Sequence, residues 1–189
     1  MASKTISHSK TPRNDLTADY VWSILDYDQL SGLLRWRARP REHFATNLAF
    51  RTWNTRFSAT AAGTLDSRMY RHIRIDGRLY KAHRLVWLHA TGTWPAAQID
   101  HVNGNPGDNS FANLREATSS DNCHNCKRPC NNTSGFKGVS FYLPTGRWVA
   151  KIQFDGRTRH LGYFDTPEAA HTAYCEAARE LHGAFARFY

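Results

Sequence analysis

The adjacent residues Asp100 and His101 have side chains that the hydrolysis of a phosphodiester requires. That reaction needs a base that removes a proton from water and a charge that stabilises the leaving oxygen. Imidazole has an ordinary pKa of about 6.5, so His101 can accept the proton near neutral pH. A divalent cation can neutralise the charge on the leaving oxygen, and hard cations bind oxygen ligands, which Asp100 and Asn122 both offer. Because neighbouring side chains of an extended segment point in opposite directions, Asp100 and His101 can serve different partners.

The charge of the chain favours nucleic acid as its partner. The 189 residues include 25 Lys and Arg against 16 Asp and Glu, which gives a formal net charge of +9. A basic surface of this kind attracts polyanions. The excess is concentrated in residues 1–82, with 14 basic against 7 acidic side chains, whereas residues 83–132 have 4 of each. The segment with the Asp–His pair is therefore expected to hold DNA poorly by itself. RNA is a weaker alternative, because only the charge supports it.

The cysteines and the N-terminal residues indicate a cytosolic protein. Cys123, Cys126 and Cys130 fall within eight residues, which is a poor framework for disulfides. Their Cys-x₂-Cys-x₃-Cys spacing leaves open a zinc site, but without a second Cys pair to close it, separate reduced thiols are favoured. The polar residues 1–15 are predicted to form a disordered tail without a signal peptide. No apolar run is long enough to predict a membrane span.

Several short motifs around the Asp–His pair resemble the HNH endonuclease family, in particular its phage homing type. They occur in the order and spacing of that family, at Tyr80–Trp87, Ile99–Asn105, Asn113–Arg115 and Asp121–Asn122. The resemblance covers most of residues 16–128. It implies that Asp100 is a metal ligand and that His101 is the general base. It also implies that Asn113 orients the base and that Asn122 is the second metal ligand.

The sequence departs from the family pattern on the helix that follows. Asn122 stands where many relatives have His, and Cys126 stands one turn later, where some relatives have a further His. An Asp and Asn site is harder than a His-rich one, so it favours Mg²⁺ or Mn²⁺ over Zn²⁺. We therefore expect one divalent cation, Mg²⁺ or Mn²⁺, in each active site.

A second set of motifs, at residues 132–140, 146–152 and 161–170, resembles the APETALA-type domain of plant ethylene-response factors. The resemblance covers residues 134–189, and it implies a three-stranded antiparallel sheet that enters the DNA major groove. Strand alternation independently predicts an apolar face made of Val139, Phe141, Trp148, Ala150 and Ile152. The opposite face then carries the hydrogen-bonding side chains Ser140, Tyr142, Lys151, Gln153, Thr158 and His160, to which the resemblance adds Lys137. An ordinary solvated sheet face is the alternative.

The elements that position these residues predict a modular α+β fold. It consists of an N-terminal helix and β-hairpin, a ββα-metal core, and a C-terminal three-stranded antiparallel sheet packed on one helix. Asp76-Gly77 predicts the hairpin turn. Thr118 with Asp121 predicts one helix start, and Thr166 predicts another. The predicted boundaries are 16–82 for an N-terminal DNA-contacting region, 83–128 for the HNH nuclease core, 129–133 for a linker and 134–189 for the DNA-binding domain.

Two further features have two interpretations each. Arg35 and Arg37 belong to a dense basic run that either contacts phosphates or forms a solvated loop. His83 begins an apolar run, where a core histidine is favoured over a phosphate contact.

Together these features predict a site-preferring DNA endonuclease that cuts double-stranded DNA as a monomer or as a DNA-bound dimer. The resemblance places it in the cytoplasm of a phage-infected bacterium, with no membrane association and no obligate protein partner. The alternative is a non-enzymatic DNA-binding regulator with an inactive HNH core, against which the intact pair of Asp100 and His101 argues.

Overall fold

The computed structural model describes residues 14–125 and 132–188, which form an α+β protein as predicted. The described chain divides into two compact units. The first contains residues up to 95 together with 106–112, and the second contains 96–105 and the residues from 113 onward. The predicted disordered tail, except for residues 14 and 15, and residues 129–131 of the predicted linker lie outside the described residues. Within the described residues, no helix is long and apolar enough to cross a membrane.

The first unit combines three helices with two small antiparallel sheets, β1–β2 and β3–β4–β5. Its elements are α1 (Ala18–Ile24), β1 (Leu25–Asp28), β2 (Leu33–Trp36), α2 (Asn47–Phe57), β3 (Thr64–Leu65), β4 (Arg71–Ile75), β5 (Arg78–Lys81) and α3 (Ala82–Thr91). The predicted N-terminal helix is α1, which begins after Thr17, whose hydroxyl accepts a hydrogen bond from the Tyr20 amide at 3.3 Å. The turn between β4 and β5 has positive φ at both Asp76 and Gly77, as the hairpin prediction required.

The first described residues of this unit are bound to its β4–β5–α3 part. The Tyr80 hydroxyl donates to Asp15 at 2.7 Å, and the Arg84 guanidinium donates to Asn14 at 3.0 Å. The apolar run after His83, for which only burial was predicted, is the helix α3, with Leu85, Val86 and Leu88 fully buried.

The second unit contains a two-stranded hairpin, a short helix and a three-stranded sheet covered by a long helix. Its elements are β6 (Gln98–His101), β7 (Leu114–Ala117), α4 (Ser119–His124), β8 (Val139–Tyr142), β9 (Arg147–Phe154), β10 (Arg157–Phe164) and α5 (Pro167–His182). Helix α4 begins with the predicted capping box of Thr118 and Asp121, and α5 begins at the predicted cap Thr166.

Strands β8, β9 and β10 form an antiparallel sheet in which β9 is central. Its apolar face packs on α5 through the buried residues Val139, Ala150, Ile152, Ala170, Tyr174 and Ala178. Phe141 shares this face through its register with Trp148, yet it is 46% exposed, because it lies on the short edge strand with its ring edge-on to Trp148. The predicted sheet and helix are therefore both present.

Candidate active site

The hairpin β6–β7 carries Asp100 and His101 into the interior of the second unit. Its antiparallel register pairs Asp100 with Arg115 and His101 with Leu114. Asp100 is 8% exposed and His101 is 4% exposed. A carboxylate at this depth requires charged or hydrogen-bonding partners, because burial removes it from water.

Arg115 and Asn125 are those partners. Arg115 approaches one carboxylate oxygen of Asp100, Oδ2, with Nε at 2.8 Å and Nη2 at 2.7 Å. The Asn125 amide nitrogen lies 2.9 Å from Oδ2 and 3.0 Å from Oδ1, and it also lies 2.8 Å from the His101 carbonyl oxygen. Asp100 is thus held by a guanidinium from the partner strand and by an amide from the end of α4.

Asn113 immediately precedes β7 and holds the chain that follows His101. Its carbonyl accepts from the Val102 amide at 2.8 Å, and its Oδ1 accepts from the Asn103 amide at 2.9 Å. The Gly104 amide donates to the His101 carbonyl at 2.7 Å, which closes a tight turn directly after the strand. The sequence-predicted residues Asp100, His101 and Asn113 are therefore brought together within one hairpin.

Asn122 lies on α4 above the beginning of the same strand. Its Nδ2 donates to Gln98 Oε1 at 2.6 Å, and Gln98 lies two positions before Asp100, on the same side of β6. Asn125 comes three residues later on the same face of the helix, and it is Asn125 whose amide contacts Asp100 directly. Sequence reasoning missed Asn125, although the capping box at Thr118 fixes the phase of the helix and would have placed it beside Asn122.

The predicted metal ligands are held by protein partners, Asp100 by Arg115 and Asn125 and Asn122 by Gln98, and only by type does this donor set match a hard divalent cation. It offers the Asp100 carboxylate and the amide group of Asn122, which are oxygen donors of the kind that Mg²⁺ prefers. The described residues contain no cluster of three or more His, Cys, Asp or Glu side chains. Mg²⁺ does not need one, because it commonly uses one or two carboxylates and keeps several waters. Cys123 is exposed with a free thiol, and the zinc hypothesis for Cys126 and Cys130 concerns positions outside the described residues.

Helix α4 also contacts the C-terminal sheet–helix module. The rings of His124 and His182 stack with centroids 3.7 Å apart and an interplanar angle of 5°. Burial, and then the nearby His182, lower the pKa of His124 below its usual value. Lys137, predicted to contact DNA, donates from Nζ to the His124 carbonyl at 2.9 Å, so this ammonium is directed at the end of α4.

The other predicted DNA contacts of the module lie on one face of its sheet. The strand register pairs Lys151 with His160 and Gln153 with Thr158, and all four are exposed. The remaining predicted members, Ser140 and Tyr142, are exposed on the neighbouring strand β8.

Two residues that sequence reasoning missed share this face. Arg147 lies opposite Tyr142, and the Tyr163 ring lies 5.5 Å from the Tyr142 ring and 4.7 Å from the His160 ring. Cross-strand register is the signal that would have found both of them. The face combines hydrogen-bonding, basic and aromatic side chains, which is a composition suited to DNA.

The two predicted arginines of the first unit are partly engaged within it. Arg35 donates to the Ala59 carbonyl at 3.4 Å, and Arg37 donates to the Trp22 carbonyl at 3.0 Å and faces Asp26 at 3.4 Å. The Arg37 side chain is half exposed, so it can still reach a phosphate. His83 is 4% exposed, with its ring 5.8 Å from that of Tyr70, which favours the core interpretation.

Comparison with known proteins gives two separate regions of similarity. A family model for HNH endonucleases matches residues 80–124. Protein 3.8 of Escherichia phage T7 is 38% identical over 115 residues, which are 59% of this chain and 94% of that protein. APETALA2-like protein 2 of Oryza sativa subsp. indica is 44% identical over 55 residues, 29% of this chain and 13% of the plant protein. An ethylene-responsive transcription factor of Arabidopsis thaliana is 53% identical over 57 residues, 29% of this chain and 22% of that protein. No solved structure matches the chain.

Proposed function

We propose that this chain, which matches the HNH endonuclease family model at residues 80–124 and belongs with Protein 3.8 of phage T7, is a metal-dependent, site-preferring DNA endonuclease of the homing type. The observation that carries the proposal is the buried pair of Asp100 and His101 on β6, with the carboxylate held by Arg115 and Asn125. Both residues lie within the stretch that matches the HNH family model, which supports a catalytic role for the pair.

His101 is the proposed general base, which removes the proton from the attacking water. Its backbone is fixed on both sides, because its carbonyl accepts from Asn125 and from the Gly104 amide. Asn113 holds residues 102 and 103 through two hydrogen bonds, and this supports its proposed role in orienting His101. These contacts fix the backbone of the segment that carries the proposed base.

Asp100 and Asn122 are the proposed ligands of one divalent cation, with Mg²⁺ or Mn²⁺ best suited to their oxygen donors. When bound, this cation supplies positive charge that stabilises the leaving oxygen. Asn125 then acts on the Asp100 carboxylate, whose direction it restrains with hydrogen bonds to both oxygens.

Recognition of double-stranded DNA is assigned to residues outside the nuclease hairpin. The sheet face with Lys151, Gln153, Thr158 and His160 supplies exposed polar side chains, and its similarity to plant transcription factors supports a DNA-binding role for residues 134–189. Lys137, Arg35 and Arg37 are proposed as additional phosphate contacts. The phage relative supports action in the cytoplasm of an infected bacterium.

Nicking of a supercoiled plasmid with Mg²⁺, Mn²⁺ or EDTA tests this proposal. We expect His101→Ala to lose ~10²–10⁴ in rate, the usual contribution of a general base, while its binding to duplex DNA is unchanged. Asp100→Ala should also lose cutting, and Asn122→Ala should need more Mn²⁺ for half-maximal cutting. Asp19→Ala, an exposed carboxylate of α1, is the matched control and should cut normally.

The outcomes separate the candidate functions. A folded His101→Ala protein that cuts at the wild-type rate would show that another group is the base. If the wild-type protein binds duplex DNA tightly but cuts none of a random plasmid library with any divalent cation, the chain is a DNA-binding regulator with an inactive HNH core.

A further inference from the structure

The last described residues of the chain, Gly183–Phe188, here named the C-terminal segment, reach the hairpin that carries Asp100. The Arg115 Nη1 donates to the Ala184 carbonyl at 2.7 Å. The centre of the Arg115 guanidinium lies 3.7 Å from the centroid of the Phe185 ring, a close cation–π contact. The same guanidinium binds Asp100 through Nε and Nη2. Arg115 is thus held between the carboxylate and the C-terminal segment.

A second contact of the segment reaches Asn125, the other partner of Asp100. Arg187 is 8% exposed, and its Nη1 lies 3.4 Å from the Asn125 carbonyl oxygen. The guanidinium also lies directly against Gly104, where a Cβ would overlap Nη1 and where φ is +63°. Asn125 in turn donates to both oxygens of Asp100. Two residues of the segment, Phe185 and Arg187, therefore act on the two partners of one carboxylate.

The geometry at the carboxylate gives these contacts a chemical consequence. Nε and Nη2 of Arg115 both approach Oδ2, and Asn125 donates to both oxygens, so these two partners together set the direction of the carboxylate. Partners behind a metal ligand fix its orientation, and their loss typically lowers metal affinity or activity 10- to 100-fold. An arginine side chain has many rotamers. A guanidinium that is bound both by a carboxylate and by the C-terminal segment keeps a single rotamer more readily.

We propose that the C-terminal segment is a positioning element of the metal site, in which Phe185 and Arg187 act through Arg115 and Asn125 on Asp100. The proposal rests on the proposed role of Asp100 as a metal ligand. It adds that the C-terminal module completes the nuclease site with one end while it binds DNA with its sheet face. Metal binding then depends on two residues that lie 85 and 87 positions after Asp100 in the sequence.

The test uses the full chain with Phe185→Ala and Arg187→Ala, and Arg179→Ala as the matched control. Arg179 also contacts a ring of the segment, with its guanidinium 4.9 Å from the Phe188 centroid, but it is an exposed residue of α5. Mn²⁺ binding is followed by the loss of the free-ion electron paramagnetic resonance signal, and the Mn²⁺ dependence of plasmid nicking is measured in parallel. We expect the Mn²⁺ concentration at half-saturation to rise 10- to 100-fold in both test variants and to stay within twofold of wild type in the control.

Folding and DNA binding are checked for every variant by circular dichroism and by duplex binding without divalent cations. If Phe185→Ala does not fold, Phe185→Leu replaces it, because leucine keeps apolar bulk but removes the aromatic face. Phe185→Tyr keeps the ring and should bind Mn²⁺ like wild type. If Phe185 only filled space, Phe185→Leu would also bind Mn²⁺ like wild type. Wild-type Mn²⁺ midpoints in folded Phe185→Ala and Arg187→Ala proteins would overturn the inference.

Asp100→Ala separates this inference from the proposed function. If Asp100→Ala cuts DNA like wild type, the metal-ligand assignment itself is wrong. If Asp100→Ala is inactive while both segment variants behave like wild type, only the role of the C-terminal segment is wrong.

Discussion

Replacement of Arg115 by methionine should destabilise the second unit, because it leaves the Asp100 carboxylate buried without its counter-charge. The two side chains are only 19% and 10% exposed, and the closest distance between them is 2.7 Å. Removal of one partner from a buried ion pair costs about 3–5 kcal/mol. Asn125 still donates to both oxygens in the variant, so we expect a loss of stability at the lower end of this range, about 3 kcal/mol.

The assay must report on the second unit alone. Of the six tryptophans, only Trp148 belongs to that unit, so urea unfolding is followed through its signal in protein labelled with fluorotryptophan. The double variant Asp100→Asn/Arg115→Met removes both charges, and it should recover about 1–3 kcal/mol relative to the sum of the single variants. Additive losses, with no recovery in the double variant, would refute the argument that the pair is coupled.

Four further predictions concern other residues of the same unit. Thr118→Ala should cost about 1 kcal/mol by removal of the α4 cap. The hydrogen bonds from Thr118 lower the pKa of Asp121 below its ordinary 3.8. The contribution of Asp121 to the free energy of unfolding should therefore be present above that pH and be lost as the pH falls below it. Unfolding of the wild-type and Asp121→Asn proteins between pH 2 and 6 measures this contribution. Gly138→Ala should cost about 1–3 kcal/mol more than Gly135→Ala, since both have positive φ but only at Gly138 would a Cβ overlap the Tyr174 ring; equal melting curves would contradict this. If the Lys151 ammonium contacts a phosphate, Lys151→Ala should reduce the slope of log K for DNA binding against log salt by about one. If it instead contacts a base edge, selection on randomised sites should show the preference relaxed at one position, by ~1–3 kcal/mol.

The sequence predicted those elements whose signals are local. The side chains that start α1, α4 and α5 are threonines that cap the first turn, and capping depends only on residues three or four positions apart. Helix α2 was not predicted, although it has local signals of the same kind: the Thr46 hydroxyl caps it, and the half-buried residues Phe50, Trp53 and Phe57 recur at helical spacing. Its half-buried face belongs to an aromatic cluster in which Trp53 contacts the rings of Trp36, Phe44 and Phe57.

The residues of the candidate site likewise divide into those with a signal in the local sequence and those without one. Asp100, His101 and Asn122 were predicted from their residue types, and the resemblance to HNH endonucleases supplied their roles and added Asn113. Arg115 and Asn125 could have been inferred from hairpin register and helix phase, since both follow from short-range geometry. The C-terminal segment could not, because its contacts with Arg115 and Asn125 join residues more than 60 positions apart, and such pairings depend on tertiary packing that no local pattern encodes.

The small size of the nuclease hairpin explains why it uses such distant support. Strands β6 and β7 have four residues each, and α4 has six. An isolated two-stranded hairpin is at best marginally stable in water, yet this one contains the buried charges of Asp100 and Arg115. The additional restraint comes from a module with its own core and a sixteen-residue helix, so the part of the chain proposed to bind DNA also stabilises the part proposed to cut it. On this reasoning, loss of the C-terminal segment alone impairs cutting and leaves the sheet in place: a protein truncated before Gly183 should bind duplex through the sheet face but require higher Mn²⁺ concentrations to cut it.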